Sequence, residues 1–154
     1  MKQKFFTLLL VLCISGIFSC TEEKNFLPYR DVYLDLNVTY RDKPLKDVLG
    51  YKTYITPGKD FINGKELAGY GGVLVINTAE SGLCAFDLAC PNEAMPNTRV
   101  KVDDDGIFAI CPECGRKYEV GVHGSGQHTD SKLRLTKYFV LPQASGRYIV
   151  TNRN

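Results

Sequence analysis

The sequence lacks any stretch with convincing helical periodicity, and it contains no internal repeat and no low-complexity linker. These absences argue against a helical bundle and a repeat array, and they leave one domain of ordinary size. The formal net charge is only +2 and forms no basic stripe, which argues against nucleic acid as a partner. No Ser–His–Asp set, paired carboxylates or phosphate-binding glycine loop stands out, so hydrolytic and transferase chemistry lack their usual residues.

The N-terminus has two lysines followed by a largely apolar stretch, Phe5 to Phe18. A membrane-spanning helix needs about 20 residues, whereas this stretch has the length and basic flank of a signal-peptide core. It ends in Ile17-Phe18-Ser19-Cys20, which resembles a bacterial lipobox. We therefore expect a lipoprotein signal peptide over residues 1–19 and a lipid on Cys20. The alternative is an ordinary signal peptide with a chance cysteine.

The sequence then predicts a lipidated tether over residues 20–30 and a folded domain over residues 31–154. Removing the signal takes away the two lysines and leaves 17 basic and 17 acidic residues, so the mature chain is formally neutral. Acyl chains hold a protein on a membrane because each buried CH₂ contributes about 0.8 kcal/mol. Thr21-Glu22-Glu23 resembles the acidic signal that sends some lipoproteins to the cell surface. We expect a cell-envelope protein anchored in the outer membrane, and this segment favours the surface.

Short strand patterns follow one another through the folded domain. Residues alternate between apolar and polar from Val32 to Tyr40, as in a half-buried strand. The other predicted strands are Val73–Asn77, Leu83–Asp87, Arg99–Asp103, Ile107–Cys111, Arg116–Val120, Leu133–Leu141 and Arg147–Thr151. Asn63-Gly64 and Asp104-Asp105-Gly106 indicate hairpin turns, and Leu45–Leu49 is at most one helical turn. The pattern predicts an all-β antiparallel domain, a small barrel or sandwich.

Four cysteines remain once Cys13 leaves with the signal and Cys20 is lipidated. They are Cys84, Cys90, Cys111 and Cys114. Two disulfides are one interpretation in an oxidising compartment. The spacing favours another, because Cys111-Pro112-Glu113-Cys114-Gly115 has the form of a metal knuckle, and Cys90 begins a second Cys-Pro loop. Paired loops at strand ends predict that the sulfurs of Cys90, Cys111 and Cys114 converge.

These loops resemble the signature of the Rieske iron–sulfur family, which is Cys-x-His, a spacer and Cys-x-x-His. The matching segments are Cys90-Pro91-Asn92, an 18-residue spacer and Cys111-Pro112-Glu113-Cys114. Gly115–Val120 is similar to the family's Gly-Ser-x-Phe-Asp-Leu exit, and Leu135–Val140 is similar to its closing strand. The match covers residues 70–152. It implies a Rieske-like antiparallel three-sheet or barrel domain with the two loops at its tip.

Both histidine positions of that signature differ here, where Asn92 and Cys114 stand. The family's two imidazoles hold one iron of the cluster and raise its potential. The family's Gly-Pro-rich covering loop is also changed, to Gly124–His128 without proline. A high-potential Rieske carrier is therefore not expected, and the resemblance implies a modified [2Fe–2S] cluster or zinc instead.

Three thiolates would leave one position of a four-coordinate metal site without an identified ligand. Candidates by position are Cys84, Asn92, Glu93 and His128. Cys84 precedes Cys90 by six residues, and a strand rises about 3.3 Å per residue, which places the two far apart. Cys84 also shares a strand face with Phe86, which favours a buried core thiol. His123 and His128 lie in a Gly/Ser-rich loop, where histidines are usually solvated, and the resemblance places His128 nearer the site.

The expected function is that of a membrane-anchored, metal-binding lipoprotein, an electron-transfer or binding protein rather than a stand-alone enzyme, whose redox or protein partner the sequence does not identify. The alternative is a structural or binding module without a cofactor. There a Cys90–Cys111 disulfide would join the loops and contribute about 3 kcal/mol. A thiol–disulfide enzyme using Cys111 and Cys114 ranks last, because no helix follows Cys114 to lower the thiol pKa.

Overall fold

A computed structural model describes residues 27–55 and 67–153 of the chain. Its strands are β1 (Val32–Asn37), β2 (Tyr51–Tyr54), β3 (Leu67–Ala68), β4 (Val73–Thr78), β5 (Gly82–Asp87), β6 (Lys101–Val102), β7 (Phe108–Ile110), β8 (Lys117–Glu119), β9 (Lys137–Pro142) and β10 (Arg147–Thr151). Helical structure in these ranges is limited to two short 3₁₀ turns, Lys43–Lys46 and Ala144–Gly146. No helix of the described part is long and apolar enough to cross a membrane.

The strands form two antiparallel sheets. Seven strands lie in the order β2-β4-β5-β9-β10-β1-β3, and a smaller sheet has the order β6-β7-β8. The predicted all-β antiparallel architecture is confirmed. The predicted signal peptide, Cys20, the tether up to residue 26 and the Asn63-Gly64 hairpin lie outside the described residues.

Strand β4 is buried on both faces, as its uninterrupted apolar sequence requires. Leu74 and Ile76 face one hydrophobic cluster, while Val73 and Val75 face a second cluster on the opposite side of the sheet. The second cluster is completed mainly by β1, β9 and β10, with Val32, Leu34, Leu36, Tyr138 and Val150. The first cluster therefore lies between β4–β5 and the small sheet, and it supports the cysteine loops.

The predicted strand over Val32–Tyr40 is too long, since β1 ends at Asn37. The side-chain oxygen of Asn37 accepts hydrogen bonds from the backbone N–H groups of Thr39 and Tyr40, at 3.1 and 3.2 Å. An asparagine that bonds the backbone two residues on closes a turn, so the ladder stops there. The edge strands β2 and β3 were not predicted, and β9 begins at Lys137 rather than at Leu133.

The side chain of Asp87, the last residue of β5, accepts hydrogen bonds from several neighbouring segments. Its carboxylate is 1% exposed and accepts hydrogen bonds from the backbone N–H groups of Tyr70, Gly71 and Ala89, at 2.7–2.9 Å. The hydroxyl of Tyr138 donates to the same carboxylate at 2.6 Å. A buried carboxylate is tolerated only with such partners. The network fixes the backbone immediately before Cys90.

Glu119, in β8, holds the loop that follows it. Its carboxylate accepts hydrogen bonds from the backbone N–H groups of Val122, His123 and Ser125, and from the Ser125 hydroxyl at 2.6 Å. Burial opposes ionisation of this carboxyl, but the bonds from Ser125, Val122 and His123 outweigh it and keep the pKa below its usual value of 4.5.

We expect Glu119→Gln to lower the free energy of unfolding at pH 7 by about 2 kcal/mol, because bonds to an ionised acceptor are the stronger kind. A carboxyl whose pKa is lowered by folding stabilises the fold above its unfolded pKa, and this contribution disappears as the pH falls through the folded value. Urea unfolding at pH 7 and pH 3 measures both effects. Glu80→Gln, at an exposed position, is the control, and equal losses in the two variants would contradict the anchoring role.

Candidate metal centre

The two cysteine loops have the same backbone construction. In the first, the N–H of Ala94 donates to the carbonyl of Cys90 at 2.9 Å, and in the second, Gly115 donates to Cys111 at 3.0 Å. Each donor residue has a positive φ, 51° at Ala94 and 69° at Gly115. A proline follows each cysteine and restricts the start of each turn. The Cys-Pro dipeptide that begins each loop therefore starts a turn with the same backbone hydrogen-bond pattern.

The turns bring three sulfurs together. The sulfur atoms of Cys90, Cys111 and Cys114 all lie within 4.8 Å of one another, and those of Cys90 and Cys114 are 3.7 Å apart. Cys90 and Cys111 are fully buried, whereas Cys114 is half-buried. No disulfide joins any of the four cysteines in the described ranges. The convergence predicted from the loop spacing is therefore observed, while the ligand role of the sulfurs stays a prediction.

A single tetrahedral metal ion fits this spacing. Metal–sulfur bonds of about 2.3 Å at tetrahedral angles place neighbouring sulfurs about 3.8 Å apart. The distance between the Cys90 and Cys114 sulfurs agrees with this value. Small side-chain rotations would bring the sulfur of Cys111 to a similar distance from both. The Rieske cluster does not fit, because it needs two imidazoles on its second iron, where this chain has Asn92 and Cys114. The donor set is that of one soft or borderline metal ion.

Tyr118 is a further member of the site that the sequence did not predict. It is fully buried in β8, and its hydroxyl oxygen lies 3.4 Å from the sulfur of Cys90. Burial first, and then contact with Cys90, raises the pKa of the Tyr118 hydroxyl. The hydroxyl therefore keeps its proton and can donate it to the neighbouring sulfur.

Cys90 and Cys114 differ in acidity. Burial disfavours the Cys90 thiolate, but donors from Tyr118 and from the backbone of Glu93 and Asn92 outweigh burial and lower its pKa. At Cys114, burial and the two neighbouring sulfurs raise the pKa to about 12, although the backbone N–H of Arg116 opposes the change. Three thiols this close cannot all ionise unless a cation compensates their charge.

Among the remaining ligand candidates, Cys84, Glu93 and His128 do not belong to the group of ligand atoms that lie within 4.8 Å of one another. Cys84 lies in the first hydrophobic cluster with Phe86, as expected for a core thiol, and is 4% exposed. The Asn92 amide is exposed and donates to the Glu93 carboxylate at 2.8 Å. His128 is buried, not solvated, and its ring packs edge-on against Tyr118, with centroids 5.6 Å apart.

His123, the second histidine of that loop, lies at the surface. Its ring nitrogen Nδ1 is 2.8 Å from the Glu80 carboxylate, and both side chains are more than half exposed. It takes no part in the arrangement of the three sulfurs.

Comparison with known proteins finds similarity in structure only. The chain matches no protein-family model and no curated protein. It is similar to a crystal structure from Mycobacterium tuberculosis, described as the small subunit of an NADH-dependent nitrite reductase. The similarity covers 68% of this chain and 96% of that chain, with 15% sequence identity and a TM-score of 0.37. Membership of the Rieske family stays a prediction, and the site is interpreted from its own geometry.

Proposed function

We propose that this chain binds one metal ion through Cys90, Cys111 and Cys114. The observation that carries the proposal is the approach of three sulfurs to within 4.8 Å, from two loops separated by a strand pair. Within the described ranges, no other group of three His, Cys, Asp or Glu residues comes as close. In a two-iron cluster, cysteines on different irons lie further apart, so the geometry supports a single zinc or iron ion over a modified [2Fe–2S] cluster.

Elemental analysis and absorption spectroscopy of protein purified anaerobically without added metal test this proposal. We expect about one metal ion per chain, with three thiols protected from alkylation in the loaded protein and released by a chelator. Cys84 serves as an internal reference, because it should stay buried and equally unreactive in both states. A metal-free protein that contains a Cys90–Cys111 disulfide would favour the alternative, a structural or binding module.

For an iron-loaded site we propose electron transfer. Thiolate-bound iron changes its oxidation state readily, and the half-exposed Cys114 places one ligand near the surface. A zinc-loaded site would not transfer electrons, because zinc has no redox chemistry under these conditions. Reversible loss of a visible absorption band on reduction would support the first role, and a colourless zinc protein would contradict it.

We further propose that the domain is held at the bacterial outer membrane by a lipid on Cys20. Support comes from the sequence alone, which has a basic flank, an apolar stretch from Phe5 to Phe18 and the lipobox-like segment Ile17-Phe18-Ser19-Cys20. We expect Cys20→Ala to abolish membrane retention without changing the unfolding midpoint, because Cys20 precedes Val32, where the first described strand begins. Membrane fractionation in high salt measures this, with Cys84→Ala as the matched cysteine control. Retention of the Cys20 variant in the membrane fraction would contradict the anchor.

A further inference from the structure

Three protein thiolates complete only part of a tetrahedral site. Zinc sites whose fourth position is closed by protein are structural, while those that leave it open accept a ligand from solution. The fourth position therefore decides what the proposed metal ion can do.

Among the described residues, no further His, Cys, Asp or Glu ligand atom joins the three sulfurs within 4.8 Å. The Glu93 carboxylate accepts a hydrogen bond from Asn92, and it is not among the ligand atoms that lie within 4.8 Å of one another. The Nδ1 atom of His128 accepts the backbone N–H of Asp130 at 2.9 Å, and neither ring nitrogen belongs to that group. The sulfur of Cys84 faces Gly124, where an added Cβ would lie only 2.5 Å away.

The open side of the triad is the side of Cys114. Cys90 and Cys111 are fully buried, whereas Cys114 is half-buried between the exposed residues Glu113 and Gly115. Ligands can therefore approach without unfolding either loop. The buried sulfurs of Cys90 and Cys111 would bind the ion on the side that faces the protein interior.

Positive charge lies close to this approach. Arg116 donates its backbone N–H to the Cys114 sulfur, and its charge acts on the Tyr118 hydroxyl. A cleft of about 630 Å³ is lined by Pro112 and Glu113 of the same loop and by Arg99 and Lys101, although none of the three cysteines lines it. Soft anions suit a site that combines thiolate ligands with neighbouring cations.

We propose, on the basis of the metal site proposed above, that the metal ion keeps an open fourth position that binds a small thiolate from solution. The ligand is a low-molecular-weight thiol whose S–H bond breaks as its sulfur binds the metal ion, with the proton passing to solvent water and no change of oxidation state. The site is then a ligand-exchange centre rather than a closed structural knuckle.

Cobalt substitution tests the inference, because the absorption of Co²⁺ reports its ligands directly. The full chain is loaded anaerobically with Co²⁺ and titrated with 2-mercaptoethanol. We expect the sulfur-to-metal charge-transfer band to rise by about one third, as a fourth thiolate completes the tetrahedron. Gel filtration should show that cobalt stays with the protein. Glu93→Gln and His128→Gln should give the wild-type spectrum before and after the titration.

The possible failures are distinguishable. Absence of any thiolate–cobalt band in the unaltered protein would overturn the metal site itself, and the inference with it. A normal band that does not respond to the thiol, or that changes in Glu93→Gln or His128→Gln before titration, would overturn only the open position. Loss of cobalt to the added thiol would also overturn it.

Discussion

Replacement of Cys90 with serine is expected to lower the affinity for metal by at least about a hundred-fold, because even a residue that merely supports a ligand typically contributes 10- to 100-fold. Cys90 is the proposed ligand whose sulfur contacts Tyr118. Its sulfur is buried, receives the Tyr118 hydroxyl at 3.4 Å, and has a lowered pKa. Serine keeps the shape and a hydrogen-bonding partner for Tyr118, but its hydroxyl does not ionise, so the ion loses a charged ligand.

Competition with a chromophoric chelator measures this affinity, in wild-type protein and in each single variant. Cys84→Ala is the matched control, since it removes a buried thiol from the same hydrophobic cluster but outside the triad. We expect it to cost stability and to leave metal binding unchanged. Cys114→Ser should reduce affinity as Cys90→Ser does. Equal affinity in the Cys84 and Cys90 variants would contradict the proposed ligand set.

Local sequence patterns predicted the parts of this fold that depend on neighbouring residues. The turn at Asp104-Asp105-Gly106 forms between β6 and β7, with Gly106 at a φ of 73°. The two Cys-Pro loops form matching turns because each contains its own hydrogen-bond partners. Cys84 was correctly assigned to the core, since alternation along β5 places it on the face of Phe86.

The parts that sequence reasoning missed depend on distant partners. β2 has alternately exposed and half-buried residues and is a strand because it pairs with β4, at one edge of the seven-stranded sheet. Likewise, β3 has only two residues and pairs with β1. Tyr118 was missed as a member of the site because its contact with Cys90 spans 28 residues. Alternation along β8 gave one usable signal, since it turns Tyr118 inward between Lys117 and Glu119.

The burial of His128 also depends on contacts that the local composition of its loop does not indicate. Its loop is rich in glycine and serine, a composition that usually indicates exposure. The loop is nevertheless held against the core, because Glu119 binds its N-terminal half and the N–H of His128 donates to the Leu133 carbonyl at 2.8 Å. Neither contact follows from local composition, and each requires the strands to be in place first.

Asp87→Ala is expected to destabilise the domain by about 4 kcal/mol, within the range for removal of one partner from a buried charged network. The change leaves the hydroxyl of Tyr138 and three backbone N–H groups without their acceptor. Each buried donor without a partner costs about 1–3 kcal/mol, partly relieved by local rearrangement. For a domain of this size such a loss is a large part of the total stability.

The effect should extend to the candidate metal centre, because Ala89 binds Asp87 and Cys90 follows directly in the chain. Urea unfolding of the metal-free protein measures the change in the free energy of unfolding alone. Competition with a chelator then measures any additional loss of metal affinity. The control is Asp104→Ala, which removes an exposed carboxylate from a hairpin turn and should change the free energy of unfolding by less than about 0.5 kcal/mol. Similar unfolding midpoints for the two variants would show that the carboxylate of Asp87 is dispensable. A large loss confined to Asp87→Ala would instead identify this buried network as the support on which the first cysteine loop depends.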